Sequence, residues 1–250
     1  MTNAVIKAKN LSVGYGDRVL LKHADFEVNK HDIFVVMGAS GCGKSSLLKV
    51  LTGLIPPLDG LFDVLGVDFA KADNEQKNNL RRKTGILYQS GALFSSMTLA
   101  ENIATVLTKF SPYDNATIDE LVHLKLALVG LEGYEEYYPS EISGGMKKRA
   151  GLARALALDP EIVYFDEPSA GLDPISSARL DDLMLEINEN LKTTLVVVTH
   201  ELNSIFKIAN NSIYLDVTTK TITATGDPHE LLKNPPNARV EQFLTRGQKS

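Results

Sequence analysis

Apolar residues recur along this chain with two periods, and the switches between them outline its elements. Ile33 to Met37, Gly85 to Tyr88, Ile162 to Phe165 and Leu195 to Val198 are short, nearly continuous apolar runs, the pattern of strands buried on both faces of a parallel sheet. Two further short strands are predicted near Ser212 to Leu215 and Thr221 to Ala224. Ahead of these, Val5 to Ala8, Arg18 to Leu21 and Phe26 to Val28 are β-like runs divided by Gly14, Gly16 and the polar turn Asn29 to Asp32, which predicts a small antiparallel sheet. Pro56, Pro57, Asp59 and Gly60 make a turn, and Leu61 to Phe69 reads as a second hairpin.

The remaining segments have helical spacing. Ser46 to Leu51 follows the first buried run, and a polar helix is predicted from Asp73 to Lys83. Thr98 with Glu101 forms a capping box, with Leu99, Ile103, Val106 and Phe110 on one face behind it; Thr117 with Glu120 repeats the device, and Gly130 is a stop. Ser143 caps a helix running through Arg154 to Leu158. Pro174 opens another, with Leu180, Leu183, Ile187 and Leu191 as its inner face, and Asp227, Pro228 and Glu230 begin a last one. Strands alternating with helices make an α/β core, with residues 90–155 as a helical insertion and Arg246 to Ser250 as a loose polar tail.

Composition bounds this picture without changing it. At 250 residues, 44% hydrophobic and 23% charged, the chain has the balance of an α/β globule large enough to bury a sizeable core. A net charge of −5 argues against a dominant nucleic-acid surface. There is no apolar run long enough to cross a bilayer and no signal-peptide pattern at the start. Cys42, the only cysteine, cannot form an internal disulfide, and a reducing cytoplasm is the expected compartment.

Chemistry enters at Gly38, Ala39, Ser40, Gly41, Cys42, Gly43, Lys44, Ser45 and Ser46, which fit G-x-x-x-x-G-K-S/T between a strand and a helix. Glycines let consecutive N–H groups approach phosphate oxygens, and the helix adds the positive end of its dipole. Lys44 supplies a point charge for β/γ-phosphates and Ser45 a Mg²⁺ ligand.

Other residues fall where an α/β sheet binds ligands, beyond the carboxyl ends of its strands. Asp166 can hold Mg²⁺ through water, and Glu167 can take a proton from an attacking water. His200 follows the next buried run and can reach a γ-phosphate or the water beside it. Gln89 ends the run before and either reaches Mg²⁺ or that water, or is an ordinary loop glutamine. Tyr15, between two glycines, is either an adenine-stacking ring or a plain turn tyrosine. Ser143, Gly144 and Gly145 open a helix as a second anion cradle or simply as a flexible cap, and one nucleotide rarely needs two cradles.

This order of motifs resembles the ATP-binding subunits of ABC transporters over nearly the whole chain. The resemblance implies a P-loop NTPase fold: a core of residues 1–89 and 156–236 carrying an antiparallel β subdomain, a helical subdomain at 90–155 and a C-terminal tail at 237–250. It makes Tyr15 the adenine-stacking aromatic, Gly38 to Ser46 the Walker A loop, and Gln89 the Q-loop residue that also meets Mg²⁺. Asp166 and Glu167 become the Walker B pair, His200 the switch histidine, Ser143 to Gly145 the signature, and Asp173 the D-loop aspartate. In that family two copies pair head to tail, so the signature and Asp173 of one complete the ATP site of the other.

The common signature ends in Gln, whereas Met146 stands here. With Tyr88 to Phe94 and Asn237 to Leu244, it is similar to the Mla-type subgroup. That likeness implies phospholipid movement between the inner and outer membranes. The expected partners are an MlaE-like permease, an MCE-domain lipid-binding protein and a small STAS-domain protein, with the chain held peripherally on the cytoplasmic face of the inner membrane. Three alternatives stay open: an ABC ATPase serving another cargo, a soluble one acting on nucleic acid, and a P-loop kinase, which would leave Ser143 to Gly145 unexplained.

Overall fold

The computed structural model describes residues 3–246. Strands β1 (Ala4–Tyr15), β2 (Arg18–Asn29), β4 (Asp59–Val64) and β5 (Val67–Asp68) form an antiparallel sheet in the order β2-β1-β4-β5. The first two are far longer than the separate runs predicted, because the polar breaks are absorbed as bulges. Asn10 and His23 take positive φ where the β1–β2 register shifts, and their side chains bond to each other at 2.7 Å.

The second sheet holds β3 (Ile33–Gly38), β6 (Thr84–Leu87), β7 (Ile162–Asp166), β8 (Thr194–Val198), β9 (Asn211–Asp216) and β10 (Thr221–Thr225), in the order β10-β9-β3-β8-β7-β6. Its strands are parallel except β10. Alternation along β3 sends Phe34 and Val36 into the apolar layer under the antiparallel sheet. That layer also holds α1 (Lys44–Leu51), through Leu47 and Leu51. Val35 and Met37 face the opposite layer, with Val163, Phe165, Leu195 and Val197 from neighbouring strands.

That opposite layer is covered by helices. Between β6 and β7 run α3 (Leu99–Phe110), α4 (Asn115–Leu128) and α5 (Gly144–Ala155), after the polar α2 (Asn74–Arg82); α6 (Pro174–Leu191) and α7 (Leu202–Ile208) follow. The Thr98/Glu101 capping box is formed. The second one is not: α4 starts earlier, and the Asp114 carboxylate accepts from the Thr117 N–H at 3.0 Å, so Thr117 is capped and does not cap. Phe110 and Leu191, assigned to inner faces, are each 42% exposed because both lie in the last turn of their helices, beyond the layer they flank. Helix α5 stops at Ala155, short of Leu158. None of the described helices is long and apolar enough to cross a membrane.

After α8 (Pro228–Lys233), residues grouped with the tail on sequence form helix α9 (Ala238–Leu244); 247–250 lie outside the described residues. Asn237 caps α9, and Val240, Phe243 and Leu244 are buried, with Phe243 against Tyr214 of β9. Arg239 donates to Asp216 at 2.7 Å. Burial alone would raise the Asp216 pKa, but Arg239 and the N–H groups of Thr218 and Thr219 outweigh it and hold the carboxyl below its usual range. A group with a lowered folded pKa contributes stability that is present above its unfolded value and lost as pH falls through the folded one. In urea unfolding at pH 7, Arg239→Met should therefore cost about 1–2 kcal/mol, since Asp216 keeps its two backbone donors. That gap should begin to shrink only as pH falls below about 4, and vanish once pH is below the lowered pKa of folded Asp216.

Candidate active site

The loop after β3 is shaped by its own backbone. Gly38 stands at φ 149°, where a Cβ would fall 2.6 Å from the Leu215 carbonyl oxygen and 2.8 Å from Cys42 Sγ. Gly43, at φ 103°, caps α1 in the left-handed region that turns the loop into the helix. Lys44, the first helical residue, folds back over this loop. Its Nζ donates to the carbonyls of Gly38 at 2.9 Å and Ala39 at 3.3 Å, and the side chain is only 6% exposed. Cys42 is packed beneath, and burial pushes its thiol pKa up, outweighing the nearby Lys44 charge, so it stays a protonated, inert filler.

Strand β7 ends at Asp166, whose Oδ1 accepts from Ser45 Oγ at 2.8 Å. A hydroxyl and a carboxylate held this close are the hard oxygen donors that suit Mg²⁺, so this pair fits the ion that the phosphate loop implies. Glu167 follows at φ 48°, unusual for a residue with a side chain, and its N–H donates to the Val198 carbonyl at 2.9 Å. That turn brings its carboxylate back to the sheet edge, where Oε1 is 3.7 Å from Lys44 Nζ. His200 Nδ1 lies 2.9 and 3.0 Å from the two carboxylate oxygens. Glu167 is thus clamped between a buried ammonium and a half-exposed imidazole.

These groups open into a cleft of about 490 Å³ lined by Tyr15, Lys44, Ser45, Gln89, Glu167 and His200 together with loop residues. Tyr15, from the tip of the β1–β2 hairpin, is 48% exposed, and its hydroxyl is 3.5 Å from Ser46 Oγ. Gln89 is exposed at the far wall. Arg18 and Ala170 also line the cleft. The sequence reading missed both. Arg18 could have been found as the first residue after the Tyr15 turn, whereas nothing local marks Ala170.

Ser143, Gly144, Gly145 and Asp173 are not among the residues lining this cleft. Ser143 caps α5, accepting from the Met146 N–H at 3.2 Å, and Asp173 caps α6, accepting from Ile175 and Ser176 at 3.0 Å each. Hydrogen bonding from Ser176 holds the Asp173 carboxyl below its usual range. Ser143 and Gly145 border a separate hollow of about 710 Å³ with Arg149, Ser176 and Arg179. Within one chain the second glycine turn therefore serves no nucleotide bound at the first.

Comparison with known proteins agrees with this geometry. Residues 21–170 match the family model described as ABC transporter. The chain is 39% identical over 246 residues, 98% of its length and 91% of the relative's, to the intermembrane phospholipid transport system ATP-binding protein MlaF of Haemophilus influenzae. It is 38% identical over 239 residues, 96% of its length and 68% of the relative's, to the "Probable ribonucleotide transport ATP-binding protein mkl" of Mycobacterium leprae. Among solved structures, a dimeric ATP-binding cassette in a post-hydrolysis state, bound to ADP and Pi, superposes with a TM-score of 0.80 at 26% identity, covering 89% of this chain and 98% of that one. A family match through the phosphate loop and both carboxylates, with the MlaF relative aligned almost end to end, means that the chain belongs to the ABC transporter family, as one of its ATPases.

Proposed function

We propose that this chain hydrolyses ATP as one of two head-to-tail copies beneath a membrane permease, and that the complex moves phospholipid between the inner and outer membranes. The observation that carries the chemistry is the Glu167 carboxylate held between Lys44 and His200 at the mouth of the phosphate loop. The loop N–H groups and Lys44 bind the β- and γ-phosphates, and Tyr15 stacks on the adenine. Ser45 and Asp166 would hold Mg²⁺, which when bound would offset the negative charge of the γ-phosphate. Glu167 accepts the proton of the attacking water, while His200 against both carboxylate oxygens fixes the direction of attack, and Gln89 closes the rim.

The second copy follows from the second cradle. Ser143 and Gly144 are exposed at the N-terminus of α5 and none of the three turn residues lines its own cleft; with Asp173 they complete the site of a partner copy. The similarity to MlaF across nearly the whole chain supports a phospholipid cargo. It also supports an MlaE-like permease, an MCE-domain lipid-binding protein and a STAS-domain protein as partners, and a place on the cytoplasmic face of the inner membrane. The mkl relative's printed name carries the second reading, a ribonucleotide cargo.

Glu167→Gln should keep ATP affinity and lose about 10²- to 10⁴-fold in turnover; hydrolysis at the normal rate would remove the carboxylate from the mechanism. Ser143→Arg should bind ATP yet hydrolyse none, and mixing it with Glu167→Gln should restore partial activity through mixed dimers holding one intact composite site. A mixture that stays inactive at any ratio counts against head-to-tail pairing. For the cargo, the affinity-purified complex in vesicles should transfer labelled phospholipid in an ATP-dependent way. ATP-driven ribonucleotide uptake without lipid transfer would instead select the second reading.

A further inference from the structure

Lys148 lies on α5, five residues past Ser143, and is only 5% exposed. Its ammonium makes no ion pair among the described residues, and donates instead to two backbone carbonyls, Pro168 at 2.5 Å and Ala170 at 2.6 Å. A buried cation whose hydrogen bonds all go to neutral carbonyls is costly, even with the Glu167 charge acting on it from beyond contact, so its position is informative. Both carbonyls belong to the loop that leaves Glu167, and that loop is otherwise thinly tied, by the Ala170 N–H to the Glu167 carbonyl at 3.2 Å and the Leu172 N–H to the Ser169 carbonyl at 3.1 Å. Glu167 itself is in the left-handed region, where a side chain is strained unless its surroundings hold it. On its N-terminal side the Val198 carbonyl holds it, and on its C-terminal side Lys148 does.

We infer that Lys148 is a positioning residue for Glu167: by clamping the Pro168 and Ala170 carbonyls it keeps the Glu167 backbone turned back, and so its carboxylate at Lys44 and His200. The same side chain fixes α5, and therefore the Ser143 turn, relative to this loop. In a head-to-tail pair the carboxylate of one site and the cradle of the other would then move together. The inference rests on Glu167 being the base.

The test uses the full chain with Mg²⁺ and ATP, comparing Lys148→Met with Glu167→Gln and the parent. Lys148→Met keeps the stem and removes the donors. Its kcat should fall about tenfold or more, as for a misplaced reacting group, while KM for ATP stays within about twofold. By hydrogen exchange with mass spectrometry, amides in the 168–172 segment should exchange faster in Lys148→Met, and those of the Gly38 to Ser46 loop should not. An unchanged kcat, a KM that rises as kcat falls, or unchanged exchange in 168–172 overturns the inference. If Lys148→Met does not fold, Lys148→Leu, which also fills the site with an apolar side chain and removes the donors, is held to the same three measurements. Glu167→Gln separates the failures: if it turns over normally the reading of the base is wrong, whereas if it is inactive and Lys148→Met is normal, only the role of Lys148 falls.

Discussion

The register of four adjacent parallel strands sets everything at the candidate site. Ile33, Leu195, Val163 and Gly85 stand in one row across β3, β8, β7 and β6. Counting on along each strand, Gly38 and His200 stand five places past that row and Glu167 and Gln89 four, so all four fall at the same carboxyl edge of the sheet. A slip of one residue in any pairing would carry that strand's group about 3.3 Å along the edge and send every side chain of the strand into the opposite layer. Ile33 to Gly38 and Thr194 to Val198 are buried on both faces, so such a slip would force each side chain into a layer packed for another, at about 1–3 kcal/mol for each misfit. The core thereby specifies the chemistry's geometry without touching the ligand.

Charge at that edge is held by backbone as much as by other charges. Lys44 and Lys148 are both buried, and each spends hydrogen bonds on the carbonyls of a loop it stabilises, Gly38 and Ala39 in one case, Pro168 and Ala170 in the other. Carbonyl partners keep an ammonium satisfied while leaving its charge available, which a tight carboxylate pair would not. Lys44 meets Glu167 at 3.7 Å, closer to a contact than to a bidentate pair. This arrangement suits a site in which phosphate oxygens compete for the same ammonium.

The fold also separates the two glycine turns by placing them on different layers. The first closes β3 onto α1, and the second opens α5 on the helical layer beside α6, where Gly145 approaches Ser176 so closely that a Cβ would sit 3.3 Å from its side chain. Cap bonds at Ser143 and Asp173 fix the backbone of that second surface. A turn that is preformed and exposed needs little reordering when a partner approaches, which lowers the entropic cost of association.

Local signals were legible in the chain itself. The phosphate loop could be read because only glycine tolerates the conformations at Gly38 and Gly43, and the buried strands because four apolar runs have no polar face to hide. Failures fell where neighbours decide. The runs Val5 to Ala8 and Arg18 to Leu21 stop short of Asn10 and His23, where each bulge is relieved by the other; Asp114 outcompeted Thr117 as a cap because a carboxylate one turn earlier was free to reach it. The helix at 238–244 is too short to stand on its own pattern and exists because Phe243 finds Tyr214 and Arg239 finds Asp216. Sequence alone determined which groups could carry the chemistry, since residue type and spacing are local properties. Only the tertiary structure decided that His200 rests on Glu167, that Arg18 and Ala170 wall the cleft, and that Lys148 reaches the loop behind it, because those contacts join residues brought together by sheet order and burial.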